Sequence, residues 1–182
     1  MRAIKKLLIM LLVATPASGM AAQTRVATDI GLSGIRIYAT STVNADADVL
    51  WATLTDYNKL SSFVPGMTLS RQIASPKPGI KMVEQKGEGG LVSLVMPDHV
   101  VFAIEEKPYS SITFKTVAAR GSSLRGEWTI NGQRSPVQLV YRAHAVPVIP
   151  PPPMFSDGYV QEEIRTRMDA LGREAERRMK TQ

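Results

Sequence analysis

The sequence predicts an α+β domain in which a curved antiparallel sheet wraps around one long C-terminal helix. Between Met67 and Val146, apolar and polar residues alternate with a period of two, and glycine- or proline-rich turns separate the segments. From Ser156 to Gln182 the period changes to that of a helix, with one apolar stripe formed by Val160, Ile164, Met168, Leu171, Ala175 and Met179. Because a helix with one apolar face must cover it, the preceding strands are the expected partner.

The first 22 residues have the organisation of a secretory signal peptide. A basic start (residues 2–6) precedes an eight-residue apolar run, Leu7–Ala14, and a small-residue exit, Pro16–Ala22. A membrane-spanning helix needs about 20 apolar residues, so this run is too short to be one. We therefore expect cleavage after Ala21 or Ala22, or after Gly19, and a periplasmic or secreted mature protein.

Charge and composition exclude several classes of function. The chain has 22 basic and 16 acidic residues, and the predicted signal peptide contains three of the basic ones, which leaves a net charge of +3. So small a charge disfavours nucleic acid as a partner, although it is compatible with transient contact with an anionic membrane surface. There is no cysteine, so disulfides and a lipoprotein anchor are excluded. With only His99 and His144 as histidines, no metal or other cofactor is predicted.

The N-terminal part of the mature chain mixes loop, strand and helix signals. Gln23 to Ser33 is polar and is predicted to be a flexible segment, so the folded domain is assigned to residues 34–182. Ile35–Thr40 alternates as a first strand. Two short helices are predicted next, Ala45–Leu54 and Lys59–Phe63.

The remainder of the chain is predicted to be a series of strands followed by the long helix. The predicted strands are Met67–Ile73, Ile80–Gly87, Leu91–Met96, Val100–Glu106, Ile112–Thr116, Ser123–Ile130 and Pro136–Val146. Asn131-Gly132 is typical of a two-residue hairpin turn. Four prolines, Pro150–Pro153, lead into the final helix, which Ser156 or Asp157 can cap.

Several short motifs resemble those of a known superfamily. Trp51–Tyr57 (WATLTDY), Phe63–Gly66 (FVPG) and Gly126–Ile130 (GEWTI) are similar to stretches of START-like (SRPBCC) proteins. The nearest group is the polyketide cyclase/dehydrase and coenzyme Q-binding protein branch, and the resemblance extends over about residues 32–179. It implies a helix-grip fold, with two short helices after the first strand and the last helix held by the sheet. Members commonly hold a hydrophobic molecule between sheet and helix, and the resemblance implies no catalytic residue.

Alternation along the strands and the stripe of the last helix predict which side chains would contact such a ligand. The predicted ligand-binding residues are Met82, Phe102, Phe114, Trp128, Tyr141, Ile164, Met168 and Leu171. If Met82 points inward, the same alternation directs Glu84 and Lys86 toward the mouth of the pocket as polar residues. The alternatives are a solvated strand end for these two charges and a dry, packed core in place of a pocket.

The function predicted from these observations is the binding or carriage of a hydrophobic small molecule, such as a lipid, a quinone or a polyketide-like compound, by an exported domain. One alternative is an enzyme of the cyclase or dehydratase type, in which Tyr141, Glu84 or His99 would act as acid or base. Another is an envelope interaction protein, whose strand edge or proline run would contact a protein partner.

Overall fold

The computed structural model describes residues 23–88, 98–118, 122–147, 149 and 156–181. The predicted signal peptide, the predicted strand Leu91–Met96 and the proline run Pro150–Pro153 lie outside the described residues.

The described strands form a single eight-stranded sheet in which every neighbouring pair is antiparallel. Its order is β1-β2-β8-β7-β6-β5-β4-β3. The strands are β1 (Arg25–Gly31), β2 (Gly34–Val43), β3 (Met67–Ile73), β4 (Lys81–Gly87), β5 (His99–Lys107), β6 (Ser111–Ala118), β7 (Ser123–Asn131) and β8 (Val137–Val146). Strands β3 to β8 confirm six of the predicted strand segments, with boundaries that differ by at most two residues.

Two helices and one 3-10 turn complete the described fold. Helix α1 is Ala47–Leu54, the 3-10 turn is Leu60–Ser62, and α2 is Asp157–Met179. The Ser156 side chain accepts a hydrogen bond from the backbone N–H of Tyr159 and so caps α2. The α+β class, the curved antiparallel sheet and the long C-terminal helix are therefore confirmed, as are the short helical segments after β2.

Residues 25–31 form a strand, so the expectation of a flexible N-terminal segment was wrong for them. Arg25–Gly31 pairs with β2 along its whole length. Val26 and Ile30 pack against the core. Thr28 Oγ1 also donates a 2.7 Å hydrogen bond to Asp157 on α2. Because the segment is mostly polar, its period-two alternation was not recognised as that of a strand. The strand contacts α2, the helix at the other end of the chain.

The connection between β7 and β8 is longer than the predicted two-residue turn at Asn131-Gly132. Residues 132–136 separate the two strands, and Gly132 has a φ of +99°, which favours glycine. The carboxylate of Asp46, just before α1, accepts hydrogen bonds from Ser135 N at 2.8 Å and from Arg134 Nη1 at 2.7 Å. The prediction of a two-residue turn was therefore wrong, and the longer loop is hydrogen-bonded to a side chain that is remote in sequence.

Helix α2 lies over only one end of the sheet, the end formed by β1 and β2. Its backbone packs closely on β1, β2 and α1. Near its C-terminal end, Glu176 Oε1 accepts a hydrogen bond from the backbone N–H of Asn44 at 2.9 Å. A single helix cannot cover an eight-stranded curved sheet, so a space remains between α2 and the strands on the far side of β2.

The Trp51–Tyr57 motif, one of those that carried the family resemblance, connects α1 to the rest of the fold. Tyr57 donates a 2.7 Å hydrogen bond to Glu106 Oε1. Asp56 accepts one from Arg178 Nη2 of α2 at 3.0 Å. These side chains therefore join α1, the sheet and the end of α2.

Candidate ligand-binding site

A cavity of about 400 Å³ lies between α2 and the concave face of the sheet. This volume is within the range of small-molecule binding sites, about 300–1,000 Å³. Most of its walls are apolar side chains from strands β2 and β5 to β8, from the α1 region and from α2. A packed core without a pocket, the alternative considered from the sequence, is not what the structure contains.

Four aromatic rings form a continuous wall on the sheet side of the cavity. Phe102 and Phe114 pack edge to face with centroids 5.6 Å apart, and Phe114 stacks on Tyr141 at 6.0 Å. Tyr141 in turn contacts Trp128 at 4.3 Å. All four are predicted ligand-binding residues that line the cavity. The structure brings them together because they lie on one face of β5, β6, β7 and β8.

Because Gly126 has no side chain, the Phe114 ring can occupy the space next to its Cα atom. A Cβ atom at this position would lie 2.6 Å from Phe114 Cζ and 2.3 Å from the carbonyl oxygen of Arg142. Both distances are far below van der Waals contact, so any larger residue here would displace the ring or the neighbouring strand. Gly126 is part of the GEWTI motif, and its role is to let the aromatic wall approach the backbone.

Helix α2 forms the opposite wall. Ile164, Met168 and Leu171, which the helical stripe predicted, all line the cavity. Met168 is fully buried at 0% exposure, whereas Ile164 is only partly buried. Met168 therefore belongs to the packed base of the site, and Ile164 faces the open volume.

Arg167 is a cavity residue that the sequence analysis missed. Its Nη2 atom pairs with Glu163 Oε1 at 2.5 Å, and both side chains line the cavity. Its Nε atom is buried and has no hydrogen-bond partner among the described residues. The sequence did indicate this position, because Arg167 follows Ile164 by three residues and so lies beside the apolar stripe of the helix.

Tyr141 is another polar residue of the site. Burial raises the pKa of its hydroxyl above the usual range, and the nearby positive charge of Arg167 opposes that shift. As for any tyrosine, the hydroxyl is protonated at neutral pH, and it can donate a hydrogen bond to a bound molecule.

The exposed lining residues of the cavity lie near the end of β4, the start of β5 and the first turn of α2. The lining residues Lys86, Glu88, Asp98 and Tyr159 are all exposed at this end. Lys86 is among these lining residues, although it follows Glu84 by two positions and pairs with His99, so its side chain belongs to the outer face of β4 and not to the inward face predicted from Met82.

Met82 and Glu84 do not contribute to the cavity, so their predicted inward orientation was wrong. Val83 pairs with Phe102, which lines the cavity, and Glu84 pairs with Val101 on the other face of the sheet. Val83 is fully buried, and with Gln85 it supplies the inward positions of β4. Because side chains alternate along a strand, an error of one residue exchanges the two faces.

The enzyme alternative loses two of its three candidate acid–base residues. Glu84 Oε1 lies 2.8 Å from His99 Nε2, and Glu84 Oε2 accepts a hydrogen bond from Arg71 Nε at 2.6 Å. These contacts are on the outer face of the sheet. The hydrogen bond from Arg71, more than any other contact, holds the pKa of Glu84 below its usual range. Neither Glu84 nor His99 can therefore reach a molecule in the cavity.

Within residues 23–88, 98–118, 122–147, 149 and 156–181, no cluster of three or more His, Cys, Asp or Glu side chains could hold a metal ion. No helix of these same ranges is long and apolar enough to cross a membrane.

Solved structures with the same fold include lipid transfer and aromatase/cyclase proteins. The STAR-related lipid transfer protein from Xanthomonas axonopodis has a TM-score of 0.67 and 18% identity, over 89% of this chain and 96% of that one. Human StAR-related lipid transfer protein 5 has a TM-score of 0.68 and 11% identity, over 88% and 89%. At these identities the likeness shows the START-like helix-grip fold alone.

A third similar structure is longer than this chain. The di-domain ARO/CYC protein StfQ of the steffimycin biosynthetic pathway has a TM-score of 0.60 and 13% identity over 80% of this chain. The chain spans only 50% of the length of that protein.

The sequence of the chain matches the model of one protein family. No curated protein sequence matches the chain. The model described as polyketide cyclase/dehydrase and lipid transport matches residues 43–171, which include α1, strands β3 to β8 and most of α2. Since this match covers well over half of the chain, the protein belongs to the polyketide cyclase/dehydrase and lipid transport family.

Proposed function

We propose that this protein is an exported carrier that holds one hydrophobic small molecule, such as a lipid, a quinone or a polyketide-like compound, between the sheet and α2. The observation that supports this most directly is the cavity of about 400 Å³ with its aromatic wall. Its family and the lipid transfer proteins that share its fold are consistent with such a ligand.

The energetic basis of binding would be the removal of apolar surface from water. Each Å² of apolar area that is buried contributes roughly 25 cal/mol, and no covalent chemistry is required. The few polar groups in the cavity would then orient the molecule.

Carriage agrees with the site better than catalysis does. Of the three residues considered as acid or base, only Tyr141 reaches the cavity. A tyrosine hydroxyl is protonated at neutral pH, so Tyr141 could donate a proton or a hydrogen bond there but could not act as a general base.

Export rests on the N-terminal sequence. The basic start, short apolar run and small-residue exit in residues 1–22 support removal of this segment, so that the mature chain would begin just before β1.

Native mass spectrometry of the full-length gene product, isolated from the periplasm without detergent, tests both parts of the proposal. We expect a chain that begins near Ala22 or Gln23, with an additional mass that disappears on organic extraction and is identified as a hydrophobic compound. A chain that retains residues 1–20 would contradict export. A ligand-free protein that also fails to take up hydrophobic compounds from a lipid extract would contradict carriage.

A further inference from the structure

We propose that one edge of the sheet, beside the cavity, docks on a lipid bilayer that contains anionic phospholipids. This inference deepens the proposed carrier function, because it names the partner with which the carrier would exchange its hydrophobic molecule. It starts from four basic side chains that lie directly opposite one another on neighbouring strands. In the order of the sheet, this basic row consists of Arg36 on β2, His144 on β8, Arg125 on β7 and Lys115 on β6.

The side chains of the basic row point away from the cavity. Arg36, Arg125 and Lys115 are exposed, and His144 is partly buried. Because side chains alternate along a strand, residues next to the row in the chain point to the opposite face of the sheet. Those neighbours that line the cavity are Ile35, Ile37, Phe114, Leu124 and Ala145.

The basic row destabilises the protein when it has no partner. Like charges that lie directly opposite each other on neighbouring strands repel, and Lys115 faces Arg125 in this way. Within the described part of the chain, Arg36 is the only member of the row with an ion-pair partner, Asp29 at 2.8 Å. An anionic surface would supply the missing counter-charges for the rest of the row.

Exposed apolar side chains lie beyond the basic row, at one edge of the sheet. Val117 follows Lys115 by two residues and is 51% exposed, and Val146 follows His144 by two and is 38% exposed. Leu32, in the turn between β1 and β2, is fully exposed.

Apolar side chains at an edge with cations behind them fit a bilayer surface. Apolar groups can enter the boundary of the acyl chains while the cations remain at the level of anionic headgroups. A partner that is only anionic, such as a nucleic acid, would match the basic row but would give the apolar side chains no favourable contact. The combination therefore favours a bilayer.

The same edge carries exposed lining residues of the cavity. In an antiparallel sheet the end of one strand lies beside the start of the next, so the end of β4 and the start of β5 share this edge with the ends of β6 and β8. The acidic lining residues Glu88 and Asp98 lie on the β4–β5 side. The side from β2 to β6 would therefore face the bilayer, and a hydrophobic molecule would leave the bilayer close to the cavity.

Vesicle sedimentation with the mature, delipidated protein tests this surface. Vesicles of phosphatidylcholine alone are compared with vesicles that also contain phosphatidylglycerol, an anionic phospholipid. One double variant, Lys115→Gln with Arg125→Gln, removes two charges of the row. A second, Val117→Thr with Val146→Thr, makes the apolar edge more polar with side chains of nearly the same shape. The matched control, Arg25→Gln with Lys107→Gln, removes two exposed charges at the opposite edge of the sheet.

We expect wild type to bind the anionic vesicles at least about tenfold more tightly than the neutral ones, because each Lys or Arg near such a surface contributes roughly fivefold in affinity. On the anionic vesicles, the row variant should lose at least about tenfold in affinity and the valine variant at least about fivefold. The control should stay within about twofold, since salt screens charges that lie more than about 10 Å from the surface.

Three results would overturn the docking surface. The first is that wild type does not bind the anionic vesicles, and the second is that the control loses as much affinity as the row variant. The third is unchanged binding by the valine variant, which would mean that only net charge attracts the protein to the vesicles.

A titration with Nile red, a neutral fluorescent dye, tests the cavity separately in the absence of vesicles. All variants should bind the dye as wild type does, because none of the replaced residues lines the cavity. If wild type binds the dye but not the vesicles, the carrier function stands and the docking surface is wrong. If it binds the anionic vesicles but not the dye, the docking surface stands and the carrier function is wrong.

Discussion

At the scale of single residues, Tyr141 connects the chemistry of the cavity to a measurable dependence of stability on pH. Its side chain is buried within the aromatic wall, and this burial raises the pKa of the hydroxyl above the usual value of about 10. Below pH 10 both folded and unfolded chains hold the proton. Above it the unfolded chain releases the proton while the folded chain retains it, so the free energy of unfolding must fall.

We therefore expect wild type to lose stability relative to Tyr141→Phe as the pH rises above about 10, by up to about 1.4 kcal/mol per pH unit. Tyr57, whose pKa is also raised by burial and by its hydrogen bond to Glu106, is present in both proteins and cancels. Urea unfolding of both proteins between about pH 8 and 11 measures the difference. Parallel stability curves across this range would show that Tyr141 ionises normally and is not buried as described.

Residue-level prediction succeeded where one face of a strand is clearly apolar. Phe102 and Trp128 were placed correctly because alternation in β5 and β7 is regular. It failed in β4, where Met82 suggested the wrong face and the smaller Val83 is the buried residue. Arg167 was missed because hydropathy treats arginine as a surface residue, although its long side chain reaches the cavity beside the apolar stripe.

At the scale of elements, the C-terminal end of α2 is fixed by a cluster of charges. Glu174 accepts two hydrogen bonds from Arg177 at 2.7 Å and one from Arg178 at 2.8 Å. Arg178 also pairs with Asp56 at 3.0 Å and lies over the ring of Phe63 at 5.5 Å. This cluster attaches the end of α2 to the segment that follows α1.

Replacing Glu174 by Gln should destabilise the protein by about 1 kcal/mol at neutral pH, a value kept small because part of the cluster is exposed to solvent. The hydrogen bonds from Arg177, then those from Arg178, lower the pKa of Glu174 to about 2. A lowered pKa gives stability that is present above the usual value of 4.5 and is lost as the pH falls through about 2.

The stability difference between wild type and Glu174→Gln should therefore close as the pH falls from 4.5 to about 2. Chemical unfolding at several pH values measures it. Glu162→Gln is the control, because its partner Arg165 and its own side chain are more exposed and the pair should contribute little. A difference that persists at the lowest pH would show that the cluster acts through packing and not through charge.

Most elements were predictable from period and turns, and the exceptions depend on distant partners. Strand β1 was missed because its alternating residues are mostly small or polar, and its contacts include Asp157 on α2, which is remote in sequence. The β7–β8 loop was also mispredicted, and its contacts include Asp46, which lies almost 90 residues earlier in the chain. Information of this kind is absent from a local window of sequence.

At the scale of the whole molecule, the central feature is the mismatch between one helix and eight strands. Alternation and the helical stripe predicted that sheet and helix pack together, and the motif resemblance predicted a ligand between them. Neither could determine the volume enclosed, which depends on the position of α2 over β1 and β2. The cavity is the consequence of that position.

The most direct test of the central claim, that this cavity is a binding site for a hydrophobic molecule, is to fill it. Ile164 faces the open volume, so Ile164→Trp should occupy space that is empty in the ligand-free protein. Thermal melting and titration with prodan, a fluorescent naphthyl ketone, are measured on delipidated protein. We expect nearly unchanged stability and an affinity for prodan at least about tenfold lower. Met168→Trp, at the packed base, should instead cost ~1–3 kcal/mol by overpacking.

Arg173→Trp, at an exposed position of the same helix, controls for the added indole and should change neither quantity. The contradicting result is a loss of about 2–10 °C in melting temperature for Ile164→Trp with prodan affinity unchanged. That outcome would mean that Ile164 is ordinary packed core and that the space beside it does not receive a ligand.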